Sequence, residues 1–254
     1  MSGGSQRLRR IERSAFWWHL SSGLIRLFGR VYLRLRSEGR EHVPSAGPVL
    51  LVANHASYLD PPMLGTTSPR IVDFLAQAGL ARFAPLRWWL RQVGVTLIDR
   101  DAPSKDAMRL LSTCLKDGDV VGVFPEGTRS PDGKVGPFKS GVEFLVRRGR
   151  PVVVPVGIEG TYRAMPRRAW LPRPRKVVVR YGKPWTAEQV LAPGGVEALR
   201  REVARLARAE LRSEPTAVGA RRDGGGDSVK GAAPATVDPT TSTSSTSTSA
   251  GGGA

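Results

Sequence analysis

From Val49 onward, short apolar runs rich in β-branched residues alternate with stretches of mixed polarity. The runs are VLLVA at 49–53, IVDFLA at 71–76, VTLI at 95–98, VVGVF at 120–124, PVVVPVGI at 151–158 and KVVVRYG at 176–182. Strands that stay apolar, rather than alternating with polar residues, are buried on both faces. The intervals between them leave room for crossover helices. The pattern therefore predicts an α/β fold, a mostly parallel-stranded sheet flanked by helices.

Two other segments carry a helical period. From Ser14 to Arg36, Phe16, Trp17, Leu20, Leu24, Leu27, Phe28, Val31 and Leu35 recur at spacings of three and four, with Arg26, Arg30 and Arg34 as a basic stripe beside them. This predicts an N-terminal amphipathic helical region over 15–40. Its apolar stripe has two uses: packing on the core, or lying in a lipid interface with Trp and Phe in the lipid and Arg at headgroup phosphates. The second segment, 194–212, predicts a terminal helix with Val196, Leu199, Val203 and Leu206 on its buried edge. Residues 1–14 read as a flexible basic arm. From Ser213 the composition collapses to Gly, Ala, Ser, Thr and Pro, which cannot bury enough apolar area to offset ordering entropy, so 213–254 reads as a disordered low-complexity tail. Residues 41–212 remain as one domain.

Charge narrows the choice of partners. The 254 residues carry a formal net charge of +17, and the tail after residue 212 is slightly acidic, so the folded part is more basic still. Such a surface attracts polyanions: nucleic acid, anionic lipid or phosphate-bearing substrates. No zinc spacing, RNA-binding aromatic signature or helix-turn-helix pattern accompanies the charge, which argues against nucleic acid as a partner. A single cysteine, Cys114, excludes an internal disulfide and sits in an apolar helical run, where it reads as a small buried hydrophobe. The start is polar and basic, and no stretch reaches 18 uninterrupted apolar residues; neither a cleavable leader nor a membrane span is predicted. Trp88 and Trp89, flanked by Arg87 and Arg91, suit a membrane-interface lip or core packing equally.

Candidate chemistry lies where the apolar runs end. In LLVANHASYLD, His55 follows the first run and Asp60 comes five residues later, before Pro61 and Pro62. On one continuous helix such positions point about 140° apart. A turn between them lets them meet, with Asp60 capping the next helix. A carboxylate then holds the imidazole in one tautomer, and the free nitrogen can take a proton from a hydroxyl. Only Ser57 is near enough to be a nucleophile, which favours direct attack by a substrate hydroxyl. After the VVGVF run comes PEGTRS, placing Glu126, Gly127, Thr128 and Arg129 at the same sheet edge if the sheet is parallel. Arg129 suits bidentate bonds to phosphate, with Glu126 orienting it or accepting from a substrate hydroxyl. Arg100 follows the VTLI run, and Lys139 precedes a further helix. Together these suggest a site for a phosphorylated hydroxyl compound. No Cys/His cluster offers a metal site.

These residues resemble the motifs of the glycerolipid acyltransferases of the 1-acylglycerol-3-phosphate acyltransferase family. His55 and Asp60 match its His-x4-Asp pair, GVTLIDR its second block, FPEGTRS its third and VVPVGI, 153–158, its fourth. The likeness spans about residues 45–185, and FPEGTR is its most specific element. Ser140 and Val142 depart from the family pattern, which favours more basic or smaller residues there, and Arg163, Arg167 and Arg168 follow the fourth block. The resemblance implies an acyltransferase with His55 and Asp60 as the catalytic pair. Arg100, Glu126, Gly127, Thr128, Arg129 and Lys139 would bind the acceptor, and the fourth block would face the acyl chain. The acceptor would be a lysophospholipid, foremost lysophosphatidic acid, and acyl-CoA or acyl-ACP would be the co-substrate, with no bound cofactor. The expected setting is an anionic membrane surface on the cytoplasmic side, with peripheral or monotopic attachment. Two alternatives stand beside this: a relative acting on another lysophospholipid or lyso-aminolipid, and a non-catalytic membrane or nucleic-acid binding protein.

Overall fold

The computed structural model describes residues 15–77, 96–98 and 104–213. Its elements in chain order are α1 (Ala15–Val31), β1 (Arg36–Glu38), β2 (Val49–Ala53), α2 (Asp60–Thr67), β3 (Val72–Asp73), β4 (Leu75–Gln77), β5 (Thr96–Ile98), α3 (Ser104–Lys116), β6 (Val120–Val123), α4 (Gly141–Gly149), β7 (Val152–Glu159), α5 (Thr161–Ala164), β8 (Val178–Tyr181), α6 (Ala187–Leu191) and α7 (Gly195–Ala207).

Six strands form one sheet in the order β1-β8-β7-β2-β6-β3. The pairs β1–β8, β7–β2, β2–β6 and β6–β3 are parallel, and β7–β8 is antiparallel, so the sheet is mixed. β4 and β5 form a separate parallel pair. The central strand shows why the runs read as continuously apolar. Val49, Leu51 and Ala53 face one core, with Met63, Leu64, Val154, Val156 and Tyr181. Leu50 and Val52 face the other, with Leu115, Val121, Leu145, Val153 and Leu199. Both faces are covered, and a two-residue period puts successive side chains on opposite sides.

The structure corrects several expectations. The N-terminal helix stops at Val31, so the helical region over 15–40 is only partly helical. Arg34 takes a left-handed conformation at φ 47°, and Arg36–Glu38 become β1, pairing with β8. The physical reason is a switch from helical to alternating burial, since Leu33 is buried and Arg34 exposed. The 71–76 run is two strands in two sheets. Phe74 sits between them and packs against Gly122 of β6, where an added Cβ would lie 2.4 Å from its ring. The terminal helix ends at Ala207, and residues 210–212 double back along Val135. Cys114 is buried, as expected. The readings of 1–14, Trp88, Trp89, Arg100 and 214–254 fall outside the described residues.

Candidate active site

Because β6, β2 and β7 are parallel neighbours, their carboxyl ends open on one edge. Three loops leave that edge: 54–59 after β2, 124–140 after β6 and 160–177, containing α5, after β7. Open α/β sheets keep their sites at this edge.

The first loop begins with a lock. The side-chain amide of Asn54 donates to Ile158 O at 3.1 Å, and Ile158 N donates to Asn54 Oδ1 at 2.7 Å. The amide thus adds one more rung between β2 and β7 and sets the direction in which His55 leaves the strand. The chain then turns around Asp60. Its Oδ2 lies 2.9 Å from His55 Nδ1 and accepts from Ala56 N and Ser57 N, both at 2.7 Å. Asp60 is therefore not a helix cap, as the sequence suggested; it is the first residue of α2, and it ties together the turn before it. It is fully buried, with Oδ1 lacking a hydrogen-bond partner among the described residues. Three nitrogens thus converge on Oδ2 at the start of α2.

A carboxylate can only accept, so the 2.9 Å contact makes Nδ1 the donor and leaves Nε2 with its lone pair. Among the described residues no group bonds Nε2. The imidazole is 18% exposed and stacks on Phe124, centroids 4.4 Å apart, which itself stacks on Phe74. Ser57 cannot serve as a nucleophile in this arrangement. It is fully buried, its Oγ donates to Met165 O at 2.7 Å, and it accepts from Leu59 N.

The second loop holds His55 from the backbone side. Glu126 Oε1 accepts from His55 N at 2.8 Å, and Oε2 accepts from Gly136 N at 2.9 Å. Ser130 N donates to His55 O at 2.7 Å. Both oxygens of Glu126 are thus committed to main-chain amides, and neither orients Arg129. Burial raises the Glu126 pKa above its ordinary value, while the two amide donors and the charge of Arg212 pull it down. Gly127 has φ 70°, and a Cβ there would lie 2.6 Å from Lys139 Nζ, so the Lys139 side chain crosses directly over the Gly127 backbone. Thr128 and Lys139 are exposed.

Arg129 turns back toward the first loop. Its guanidinium carbon lies 3.4 Å from the centroid of the Tyr58 ring, and Nη1 donates to Arg167 O at 3.2 Å. Tyr58 had no signal in the sequence, because a cation–π pair depends on spatial approach and not on spacing. Phe124 and Ser130 were missed for the same reason. The second loop is itself strapped by the chain after α7. Val135 pairs with Leu211, and Arg212 Nη2 lies 2.5 Å from Asp132 Oδ1 and donates to Ser130 Oγ at 2.8 Å. The Arg212 guanidinium holds the Asp132 carboxyl well below the usual carboxylate range.

The structure therefore brings together His55, Asp60, Glu126, Gly127, Arg129 and Lys139 on two neighbouring loops. The comparisons with known proteins point the same way. The sequence profile of the Acyltransferase family matches residues 34–159, which hold both loops up to the end of β7. Residues 34–159 carry an acyltransferase-family domain. The chain is 33% identical over 138 residues to the chloroplastic 1-acyl-sn-glycerol-3-phosphate acyltransferase of Arabidopsis thaliana, covering 53% of this chain and 38% of that protein. It is 35% identical over 130 residues to the human 1-acyl-sn-glycerol-3-phosphate acyltransferase alpha, covering 49% and 45%. The crystal structure of the 1-acyl-sn-glycerophosphate (LPA) acyltransferase from Thermotoga maritima superposes with a TM-score of 0.62 at 29% identity, covering 74% of this chain and 78% of that one. The chain spans about two fifths of the length of the first curated relatives it matches.

Proposed function

We propose that this acyltransferase moves an acyl chain from an acyl thioester, on coenzyme A or acyl carrier protein, to the free hydroxyl of 1-acylglycerol-3-phosphate, forming phosphatidic acid. The observation that carries this reading is the His55 Nδ1–Asp60 contact at 2.9 Å, which leaves Nε2 open at the sheet edge. Nε2 removes the hydroxyl proton as the oxygen attacks the thioester carbonyl. The tetrahedral intermediate collapses, the carbon–sulfur bond breaks, and the imidazolium returns its proton to the departing thiolate. Asp60 holds the tautomer and stabilises the imidazolium. Arg129, with Lys139 and Arg100, holds the acceptor phosphate, and the exposed Gly127–Thr128 backbone lets that phosphate approach. Glu126 acts as a positioning residue through the backbone of His55.

In this reading the acceptor is a membrane lipid delivered from an anionic membrane surface on the cytoplasmic side, and the outward apolar face of α1 supports the membrane contact. Phe16, Leu20, Leu24, Leu27 and Val31 of α1 face outward, with Phe16 at 67% and Val31 at 74% exposure. No helix of the described residues is long and apolar enough to cross a membrane, so the attachment we propose is peripheral or monotopic.

The test is acyl transfer by purified protein with acyl-CoA or acyl-ACP and a panel of lysophospholipids. His55→Ala should lower turnover by about 10²–10⁴-fold with the fold intact by circular dichroism. Transfer by wild type only to another acceptor would keep the mechanism and replace the substrate. Undiminished transfer by His55→Ala would sink the mechanism.

A further inference from the structure

The third loop at the catalytic edge has a feature that the reaction does not use. Between α5 and β8 the chain reads MPRRAWLPRPRK, residues 165–176. Its tip, Trp170 and Leu171, is 94% and 79% exposed. Single exposed apolar residues are ordinary on a protein surface. Here, however, an almost fully exposed indole and its aliphatic neighbour stand on a braced support. Pro166, Pro172 and Pro174 restrict the backbone. Ala169 N donates to Pro166 O at 2.9 Å, and Arg173 N donates to Ala164 O at 2.7 Å. The loop is thus shaped to hold its tip away from the core.

Its surroundings identify what the tip meets. Arg163, Arg167, Arg168, Arg173, Arg175 and Lys176 are all exposed, and none forms an ion pair among the described residues. The stretch 163–176 contains no acidic residue. The loop also adjoins the outward face of α1: Tyr32 donates to Pro172 O at 3.0 Å and stacks on Phe28, centroids 5.2 Å apart. An apolar tip flanked in sequence by exposed guanidinium groups, which form no ion pair among the described residues, matches a phase that is apolar within and anionic at its surface. Nucleic acid supplies the charge but no apolar phase for Leu171.

We propose that residues 165–176 form a second bilayer contact, separate from α1, in which Trp170 and Leu171 enter the acyl–headgroup boundary of an anionic membrane while the surrounding arginines hold its phosphates. The contact sits next to the site: Met165 O accepts from Ser57 Oγ beside His55, and Arg167 O accepts from Arg129. The base of the prong is thereby the carbonyl support of the proposed phosphate-binding arginine. Lipid-inserted, it sets Arg129 at headgroup depth, where the acceptor phosphate lies; that consequence rests on the function proposed above.

The experiment uses the full chain and vesicles of phosphatidylcholine with and without 30% phosphatidylglycerol. Trp170 is replaced by Cys in a Cys114→Ser background and labelled with an environment-sensitive fluorophore. The label should shift to the blue with anionic vesicles and be quenched by a quencher carried on lipid. In parallel, Trp170→Ser with Leu171→Ser should weaken vesicle binding by about tenfold or more and raise KM for vesicle-borne acceptor. Turnover of a short-chain acceptor dissolved as monomer should stay within about twofold. A label that stays in water, or unchanged vesicle binding by the double variant, would overturn the proposal. So would equal losses on vesicle-borne and monomeric acceptors, which would make the loop a structural brace only. A label already shielded without lipid would mean that another part of the chain or a second copy covers the tip, and would overturn it too. If wild type transfers acyl chains to no acceptor but the label still enters the bilayer, the prong stands and the proposed reaction falls.

Discussion

In α7, Leu199, Val203 and Leu206 turn inward, and the helix packs along β7. In α1, Phe16, Leu20, Leu24, Leu27 and Val31 turn outward, while Ser21 and Gly29 are buried and the helix packs on α2. Both helices repeat apolar residues at the same spacings, so periodicity says that each has an apolar face and nothing about which way it points. The inward-facing helix fits a domain whose core needs covering. The outward-facing one leaves apolar area in contact with water, an arrangement that a lipid interface would relieve. The same contrast recurs within the loop after β6. Glu126 and Ser130 are turned in and hold His55 by its backbone, while Gly127, Thr128 and Lys139 are turned out.

The largest effect on stability should come from the inward helix. Leu199 is fully buried, so Leu199→Ala should cost about 2–5 kcal/mol in urea unfolding. A loss below 1 kcal/mol would mean that α7 is as loosely covered as α1, and the contrast would fail.

Next comes the inward half of the loop. Glu126→Gln places an amino group against a main-chain N–H in a buried site. It should cost about 1–3 kcal/mol and lower turnover, because one of the two main-chain amides, His55 N or Gly136 N, loses its acceptor and the loop that sets His55 is loosened. A variant as stable and as active as wild type would remove Glu126 from the positioning set. The raised pKa gives a pH signature. Ionised Glu126 carries a burial penalty at neutral pH that is recovered as pH falls through its folded pKa. The gap between wild type and the Gln variant should therefore change on the acid side.

Smaller still is the outward helix in solution. Leu24→Ser with Leu27→Ser should leave the urea midpoint nearly unchanged, within about 0.5 kcal/mol per site, while weakening binding to anionic vesicles. A stability loss matching that of Leu199→Ala would show this face to be covered.

The smallest effect belongs to the strap. Asp132 is held below its ordinary range by Arg212, so the pair's contribution is complete above about pH 5. It shrinks as the pH falls towards the folded pKa. Both side chains are partly exposed, and solvent screening keeps the contribution under about 1 kcal/mol. Asp132→Asn should show a small deficit at pH 7 that narrows towards pH 3, read from urea midpoints.

The sequence by itself determined that the apolar runs hold the central strands, and where the reacting groups lie along the chain. A two-faced burial leaves a continuous apolar run, and a site at a strand's carboxyl end leaves polar residues just after one; both are local records. It also carried the His55–Asp60 pair and the FPEGTR loop. Only the tertiary structure decided the rest. Residues 36–38 joined the sheet because a distant strand, β8, was there to pair with them. Asp60 became the tie of the turn, and not a helix cap, because the backbone from His55 to Ser57 folds its donors onto one oxygen. Tyr58 met Arg129, and Glu126 met the amide of His55, across the gap between two parallel strands. Such contacts depend on which strands neighbour each other and which face a helix presents. Those are properties of the packed chain, with no local pattern to announce them.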